Sequence, residues 1–270
     1  MNKPLDGKVA LITGSAGAIG FGVCEVLLEN GCTVVATDLP GERLENFAQD
    51  LDRIVSGKSA GIPMDVTDTE SVKKAFDAVF DKYGKLDIVI HNAGIALVSK
   101  IVDMDLKKFQ QLEKVNIDGT LIVLAEAGRR LIEQGKGGDI VIMSTKNVPS
   151  PSAGFGAYSA TKAACHQLGR IASLEFAEHN IRVNMVAPDA VFSEGKYKSG
   201  LWELVGKNRM KERGISEEEL HEYYRKRNLL KAAVTGRHVA NAVLFFVTRQ
   251  TPTTGATIPV DGGLPDATPR

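Results

Sequence analysis

From Lys8 onward the chain alternates short apolar, β-branched runs with longer stretches of helical period. Val9-Ala10-Leu11-Ile12 reads as a strand, and Ile19 to Asn30 as a helix stopped at Gly31. Thr33 to Thr37 predicts the next strand and Glu42 to Arg53 the next helix. Strand Ala60 to Met64 and helix Asp68 to Tyr83 follow, then strand Leu86 to Ile90 and a long helical region from Leu106 to Gln134. Asp139 to Met143 is strand, Tyr158 to Glu178 helix and Ile181 to Val186 strand. An apolar helix around Val239 to Val247 and a strand around Ala256 to Val260 complete the pattern. Strands that are apolar throughout, not alternating, belong to a parallel sheet covered by helices on both faces. The expected architecture is a doubly wound α/β fold, which binds ligands at the carboxyl ends of its strands.

One region departs from this rhythm. Residues 192–231 are polar and helical in pattern, with Ser216-Glu217-Glu218-Glu219 as a helix start. This stretch holds ten Lys/Arg and seven Asp/Glu, a basic excess of three. An insertion after a late strand reads as a lid over a substrate, or as a solvated or interface-forming helical pair.

Composition narrows the class. Lys+Arg and Asp+Glu are both 33, so the net charge is zero, which argues against a nucleic-acid partner. A chain 43% hydrophobic and 24% charged can build a sizeable core. No apolar run approaches the roughly 18 residues of a membrane helix, and the start Met1-Asn2-Lys3-Pro4-Leu5-Asp6 lacks a signal peptide's apolar stretch. Cys24, Cys32 and Cys165 form neither a disulfide framework nor a metal-ligand spacing. The expectation is a soluble, cytoplasmic, reduced protein of one domain over 1–270, with no membrane partner and no metal.

The glycines matter for where they fall. Thr13-Gly14-Ser15-Ala16-Gly17-Ala18-Ile19-Gly20 follows the first strand and opens the first helix. Small residues there let backbone approach a pyrophosphate, and the helix N-terminus presents N–H groups to it. Asp38 ends the second strand and can accept hydrogen bonds from both adenosine ribose hydroxyls, favouring NAD over the 2′-phosphate of NADP. Arg43, farther along, is the only nearby counter-signal. Asp65, in Met64-Asp65-Val66, can receive the adenine amino group; alternatively Asp65 or Asp68 caps the next helix.

Tyr158-Ser159-Ala160-Thr161-Lys162 places a phenol and an ammonium four residues apart on one helix face. A fixed positive charge lowers a phenol's pKa, so the pair can take a proton from an alcohol while hydride leaves for nicotinamide.

With these motifs the chain resembles the short-chain dehydrogenase/reductase family over nearly its whole length. The resemblance rests on the Thr13 to Gly20 turn, His91-Asn92-Ala93-Gly94, Val115-Asn116-Ile117, Tyr158 with Lys162, Ile181-Arg182-Val183-Asn184, Pro188 and Val260-Asp261-Gly262-Gly263. It implies a Rossmann-type sheet of about seven strands in the order 3-2-1-4-5-6-7, with a helical lid after the sixth strand. It implies that the dinucleotide, NAD, lies against Gly14, Ala18, Ile19, Gly20, Asp38, Asp65 and Val66, then Asn92, Ala93, Gly94, Tyr158 and Lys162. Pro188 to Val191 would receive the carboxamide, Asn92 would brace the sheet, and Asn116 would position a water relaying protons to Lys162. A homotetramer or homodimer built on the helices Leu106 to Gln134 and Tyr158 to Glu178 is also implied, and the tail from Leu264 to Arg270 either reaches a neighbour or frays.

Three positions depart from the family pattern. Ala18 replaces the turn's second glycine, with Gly17 beside it, and His91 replaces the first Asn of its signature. The family's catalytic serine position is Thr145, while Ser144 precedes it. Neighbours on a strand point to opposite faces, so one hydroxyl serves; Thr145 is chosen and Ser144 held in reserve. Within the family, Ser144 to Asn147, Pro188 to Val191, Gly200-Leu201-Trp202 and Glu222-Tyr223-Tyr224 look most like sugar and polyol dehydrogenases. These include the dehydrogenase part of bifunctional sugar-phosphate aldolase/dehydrogenases and sorbitol-6-phosphate dehydrogenases. Lys146, Asn147, Asp189 and Trp202 are the substrate candidates. Lys146 either reads an anionic group or lies in solvent, and Trp202 either covers a sugar ring or packs the lid onto the body.

Overall fold

The computed structural model describes residues 3–193 and 195–265. Strand β1 (Val9–Ile12) leads to helix α1 (Ala18–Glu29), β2 (Thr33–Asp38), α2 (Glu42–Ile54), β3 (Ser59–Pro63), α3 (Thr69–Tyr83) and β4 (Ile88–His91). Then come α4 (Leu106–Glu113), α5 (Gly119–Gln134), β5 (Gly138–Met143), α6 (Gly156–Glu175) and β6 (Ile181–Pro188). The last elements are β7 (Val191–Phe192), α7 (Gly200–Arg213), α8 (Glu217–Arg227), β8 (Val234–Thr235), α9 (Gly236–Val247) and β9 (Thr257–Val260). Seven strands form one sheet in the order β3-β2-β1-β4-β5-β6-β9, every pairing parallel. This is the expected Rossmann-like order, with β9 as the seventh sheet strand.

The uniformly apolar strands follow from two cores. Ala10 and Ile12 of β1, Val34 and Ala36 of β2, and Ile88 and Ile90 of β4 pack with α1, α2 and α9. Their neighbours Leu11, Val35 and Val89 face the opposite layer, with residues of α3, α5 and α6. Period-two geometry sends successive side chains to opposite faces, so burial of both faces makes every position apolar. Each fully buried Val, Leu or Ile contributes about 1.5–3 kcal/mol.

Two features differ from the sequence pattern. The long helical region is interrupted by a π-turn at Lys114–Asp118, where the Gly119 N–H reaches back to the Lys114 carbonyl. Such turns redirect backbone groups inside a helix, and this one carries Asn116. The second is a small parallel pairing of β7 with β8, Val191 against Val234 and Phe192 against Thr235. It sets the outgoing and returning chains of the insertion side by side. A two-residue strand has no periodicity to read, so the pattern gave no sign of it.

Within the insertion, Phe192, Leu220 and Tyr224 are buried, with Trp202, Met210 and Ile215 packed against them. Ser216 and Glu219 form a capping box at the start of α8, as its sequence implies. The tail, read from sequence as either reaching a neighbour or fraying, lies outside the described residues from 266 onward. Among the described residues, no helix is long and apolar enough to cross a membrane, and no cluster of three metal-ligating side chains occurs.

Candidate active site

The nucleotide turn is built by close approach. Gly14 has φ +58°, and a Cβ there would lie 2.6 Å from Ala93 Cα, so the turn and the end of β4 touch through backbone. A Cβ on Gly20 would lie 2.2 Å from the Ser15 carbonyl oxygen, which lets α1 start directly beneath the turn. Asn92 Nδ2 donates to the Gly14 carbonyl at 2.7 Å, so Asn92 clamps the ends of β1 and β4 together. Ala18 is buried in the first turn of α1. Gly17 has a φ of −110°, which suits any residue, and a Cβ there would meet nothing within 4 Å.

These residues fit a pyrophosphate. Neither a side-chain cap nor an acidic residue occupies the first turn of α1, so its N–H groups and positive dipole end suit an anion. Ala18, Ile19 and Gly20 would hold it. Asp38 stands beside the turn: its Oδ2 accepts from the Ala16 N–H at 3.0 Å and its Oδ1 from the Leu39 N–H at 2.9 Å. Arg43, distant in sequence, donates to the Ala16 carbonyl at 2.7 Å and so sits at the same edge. Asp65 Oδ1 accepts from the Thr67 N–H at 2.9 Å and its hydroxyl at 2.8 Å, while Asp68 caps α3. The cap therefore belongs to Asp68, and Asp65 shapes the turn before it. Val66 is buried and packs against Gly119 at the start of α5.

The catalytic candidates converge below this edge. Tyr158 and Lys162 are both buried, and Lys162 Nζ donates to the Met143 carbonyl at 2.9 Å. Gly94 faces the same place: a Cβ there would lie 3.2 Å from Lys162 Nζ and 3.3 Å from Asn116 Oδ1. The Asn116 side chain is tied on both sides, Oδ1 accepting from the Ile95 N–H at 2.9 Å and Nδ2 donating to Thr161 Oγ1 at 3.0 Å. Burial pushes the Tyr158 phenol up to about 12, with the Thr145 hydroxyl's hydrogen bond pulling the other way. The expected lowering by Lys162 is thus not what governs this phenol; desolvation is. Burial also lowers the Lys162 ammonium.

The two neighbouring hydroxyls separate as strand geometry requires. Ser144 Oγ lies 2.9 Å from His166 Nδ1, while Thr145 is the one beside Tyr158. His91, beneath the turn, is buried between Thr13 and Thr120. Burial first, and Lys162 second, bring its imidazole down to about 3.

A cavity of about 320 Å³ opens on Thr145 and runs under the insertion, lined among others by Lys146, Asn147, Phe155, Val191, Trp202 and Tyr223. Lys146 is buried, not solvent-exposed, and donates to Ser152 Oγ at 2.7 Å. The Asn147 Oδ1 is buried without a hydrogen-bond partner among the described residues. Asp189 lines the same cavity and is paired there with Arg227, whose guanidinium also lies 4.4 Å from the centre of the Tyr224 ring. Trp202 both lines the cavity and packs on Phe192, His221 and Tyr224. Pro188 accepts the Lys146 N–H at 3.0 Å, so the strand ends carrying Lys146 and Pro188 are joined. A larger cavity of about 510 Å³ lies away from Tyr158, between α2 and the base of the insertion. There Tyr197 stacks on Phe21 and bonds Asp50.

A Tyr and a Lys buried one helical turn apart, beside a pyrophosphate-fitted turn on a parallel sheet, agree with what sequence comparison finds. Residues 8–203 match the family model of the short chain dehydrogenases. The chain belongs to this family. It is 36% identical over 265 residues to the uncharacterized oxidoreductase YuxG of Bacillus subtilis, matching 97% of this chain but 38% of that longer protein. It is 30% identical to the 3-oxoacyl-[acyl-carrier-protein] reductase FabG of Aquifex aeolicus, covering 98% of this chain and 100% of that one. A sorbitol dehydrogenase of Cereibacter sphaeroides is 34% identical over 190 residues, covering 70% and 73%. As a short-chain dehydrogenase the chain is an oxidoreductase of a family that binds a nicotinamide dinucleotide. Arg227, Arg209 and Tyr223 line the cavity of this dehydrogenase without having been singled out as site residues. The polar insertion was the only signal, and it does not say which of its charges turn inward.

Proposed function

We propose that the protein is an NAD-dependent dehydrogenase that interconverts a secondary alcohol and a carbonyl on a sugar, polyol or small hydroxy compound. The observation that carries this reading is that Tyr158 lies against Thr145, which lines a small cavity, with Lys162 and Asn116 both beside Gly94. A bound nicotinamide dinucleotide supplies the hydride acceptor for oxidation. Thr145 orients the substrate hydroxyl, and Tyr158 Oη takes its proton as the C–H bond is broken. Asn116 positions a water that relays protons to Lys162, which would also hold the nicotinamide ribose. Gly14, Ala18, Ile19 and Gly20 cradle the pyrophosphate, Asp38 the adenosine ribose, and Asp65 with Val66 the adenine. Asn92, Ala93 and Gly94 flank the cofactor, and Pro188 to Val191 receives the carboxamide. Residues 192–231 act as the lid, with Lys146, Asn147 and Trp202 facing the substrate.

Reduction of a 3-ketoacyl thioester is the second reading, supported by the full-length similarity to FabG. The cavity weighs against it. At about 320 Å³ and with Lys146, Asn147 and Arg227 in its wall, it suits a compact polar molecule better than an acyl chain. Exposed Leu121, Ile171 and Leu174 on α5 and α6 support assembly as a homodimer or homotetramer, which light scattering would test. The central test is reduction of NAD over free sugars, polyols, their phosphates and hydroxy acids. Oxidation of NADH or NADPH by acetoacetyl thioesters, with no reduction of NAD by any compound of the panel, would favour the second reading. Tight NADH binding with no turnover on any compound would instead point to a silent dinucleotide sensor.

A further inference from the structure

Both ring nitrogens of the buried His91 are engaged. Nδ1 lies 3.2 Å from Thr13 Oγ1 and Nε2 2.9 Å from Thr120 Oγ1. The proton inventory fixes which way each bond runs. Thr13 Oγ1 already accepts the Asn92 N–H at 3.0 Å and the Ala93 N–H at 2.9 Å. Those bonds use both of its lone pairs, so its own proton points to His91 Nδ1. At the other end, Thr120 Oγ1 lies 2.5 Å from the Asn116 carbonyl oxygen, which can only accept. The Thr120 proton is directed there, and its oxygen accepts from His91 Nε2. Both ends demand the same neutral tautomer, with the proton on Nε2. A protonated ring would set an Nδ1–H against a hydroxyl with no lone pair left, and Lys162 would repel it.

The chain of bonds therefore runs one way, from the nucleotide turn through His91 and Thr120 to Asn116. It ends inside the π-turn, where the Asn116 carbonyl is met by the Thr120 hydroxyl and, at 3.0 Å, by the Cys165 thiol. We propose that His91 is a positioning residue: it holds Thr120 as a donor to the Asn116 carbonyl and so ties the proton-relay turn to the cofactor turn. The inference rests on Asn116 serving the relay described above. Replacing the ring by an apolar side chain leaves Thr120 free to rotate, and the carbonyl loses a fixed partner.

The test uses the full chain and the most active alcohol of the panel above, with His91→Leu, Thr120→Val, Thr120→Ser, the double variant and Asn116→Ala. His91→Leu and Thr120→Val should each lower kcat about tenfold and raise its solvent isotope effect, with KM and the NADH Kd within twofold. The double variant should be no worse than the worse single, because both break one chain, and Thr120→Ser should keep kcat. If His91→Leu does not fold, the Thr120 pair carries the test. Wild-type kcat in Thr120→Val, or multiplicative losses in the double variant, would overturn the inference. A normal kcat in Asn116→Ala would instead remove the relay on which it rests. Independently of any substrate, nitrogen-15 spectra of the wild-type protein should show His91 neutral with Nε2 protonated at pH 5; an Nδ1–H form overturns the assignment.

Discussion

The sheet body and the helical insertion hold their shape by different means. In the body, alternate strand residues fill two separate cores, and the site residues are pinned by bonds to backbone, as Asn92 is to Gly14 and Lys162 to Met143. In the insertion, two polar helices meet through a few rings around Trp202, Phe192 and Tyr224. Its ion pairs, such as Arg225 with Glu222, are largely solvent-exposed and contribute little. Position is over-determined where the proposed chemistry occurs and lightly determined in the proposed lid.

The largest effect should come from the body. Tyr158→Phe should lower turnover by about 10²–10⁴-fold while leaving NADH binding, read by fluorescence, unchanged. Turnover within threefold of wild type would sink the proposed base. Because burial holds this phenol near 12, it is protonated at neutral pH. Wild-type alcohol oxidation, which needs the phenolate, should therefore rise with pH through the neutral range, while carbonyl reduction, which uses the protonated phenol, should stay level there.

Next comes a direct contrast of the two regions. Phe47, fully buried under α1, should cost about 3–5 kcal/mol of stability when cut to alanine. Trp202→Ala should move Tm far less and raise the substrate KM instead. Equal losses of Tm would erase the distinction drawn between body and insertion. A smaller change is expected at the adenosine edge. Asp38→Ala should narrow the NAD-over-NADP ratio of kcat/KM about tenfold, or about 1.4 kcal/mol, and a wild type preferring NADP would refute the assignment. Arg43, bonded beside Asp38, would then be the residue to replace. Smallest of all, Ser144→Ala should keep kcat within twofold while Thr145→Ala lowers it severalfold or more, because Ser144 serves His166.

The parts legible from sequence share a short range. Tyr158 and Lys162 are four residues apart, and helical period alone puts them together. Thr13 to Gly20 is a contiguous turn, and Ser216 with Glu219 a contiguous cap. The illegible parts are partnerships across long separations. Asp189 is paired with Arg227, 38 residues away. Arg43 lies 27 residues from the Ala16 whose carbonyl it meets, and His91 lies 29 residues from Thr120. The π-turn at Asn116 has the same composition as regular helix, so only packing against α6 distinguishes it.

What the sequence by itself determined was the order of strands and helices, the pyrophosphate-fitted turn and the Tyr–Lys pair. Periodicity and turn chemistry are set within a few residues of backbone, so they survive without knowledge of the rest of the chain. Tertiary structure alone decided that burial governs the phenol, that Ser144 serves His166 and that Asp189 is paired with Arg227. Each of these depends on which distant group is brought against a side chain and how much water is excluded, and no local pattern encodes either.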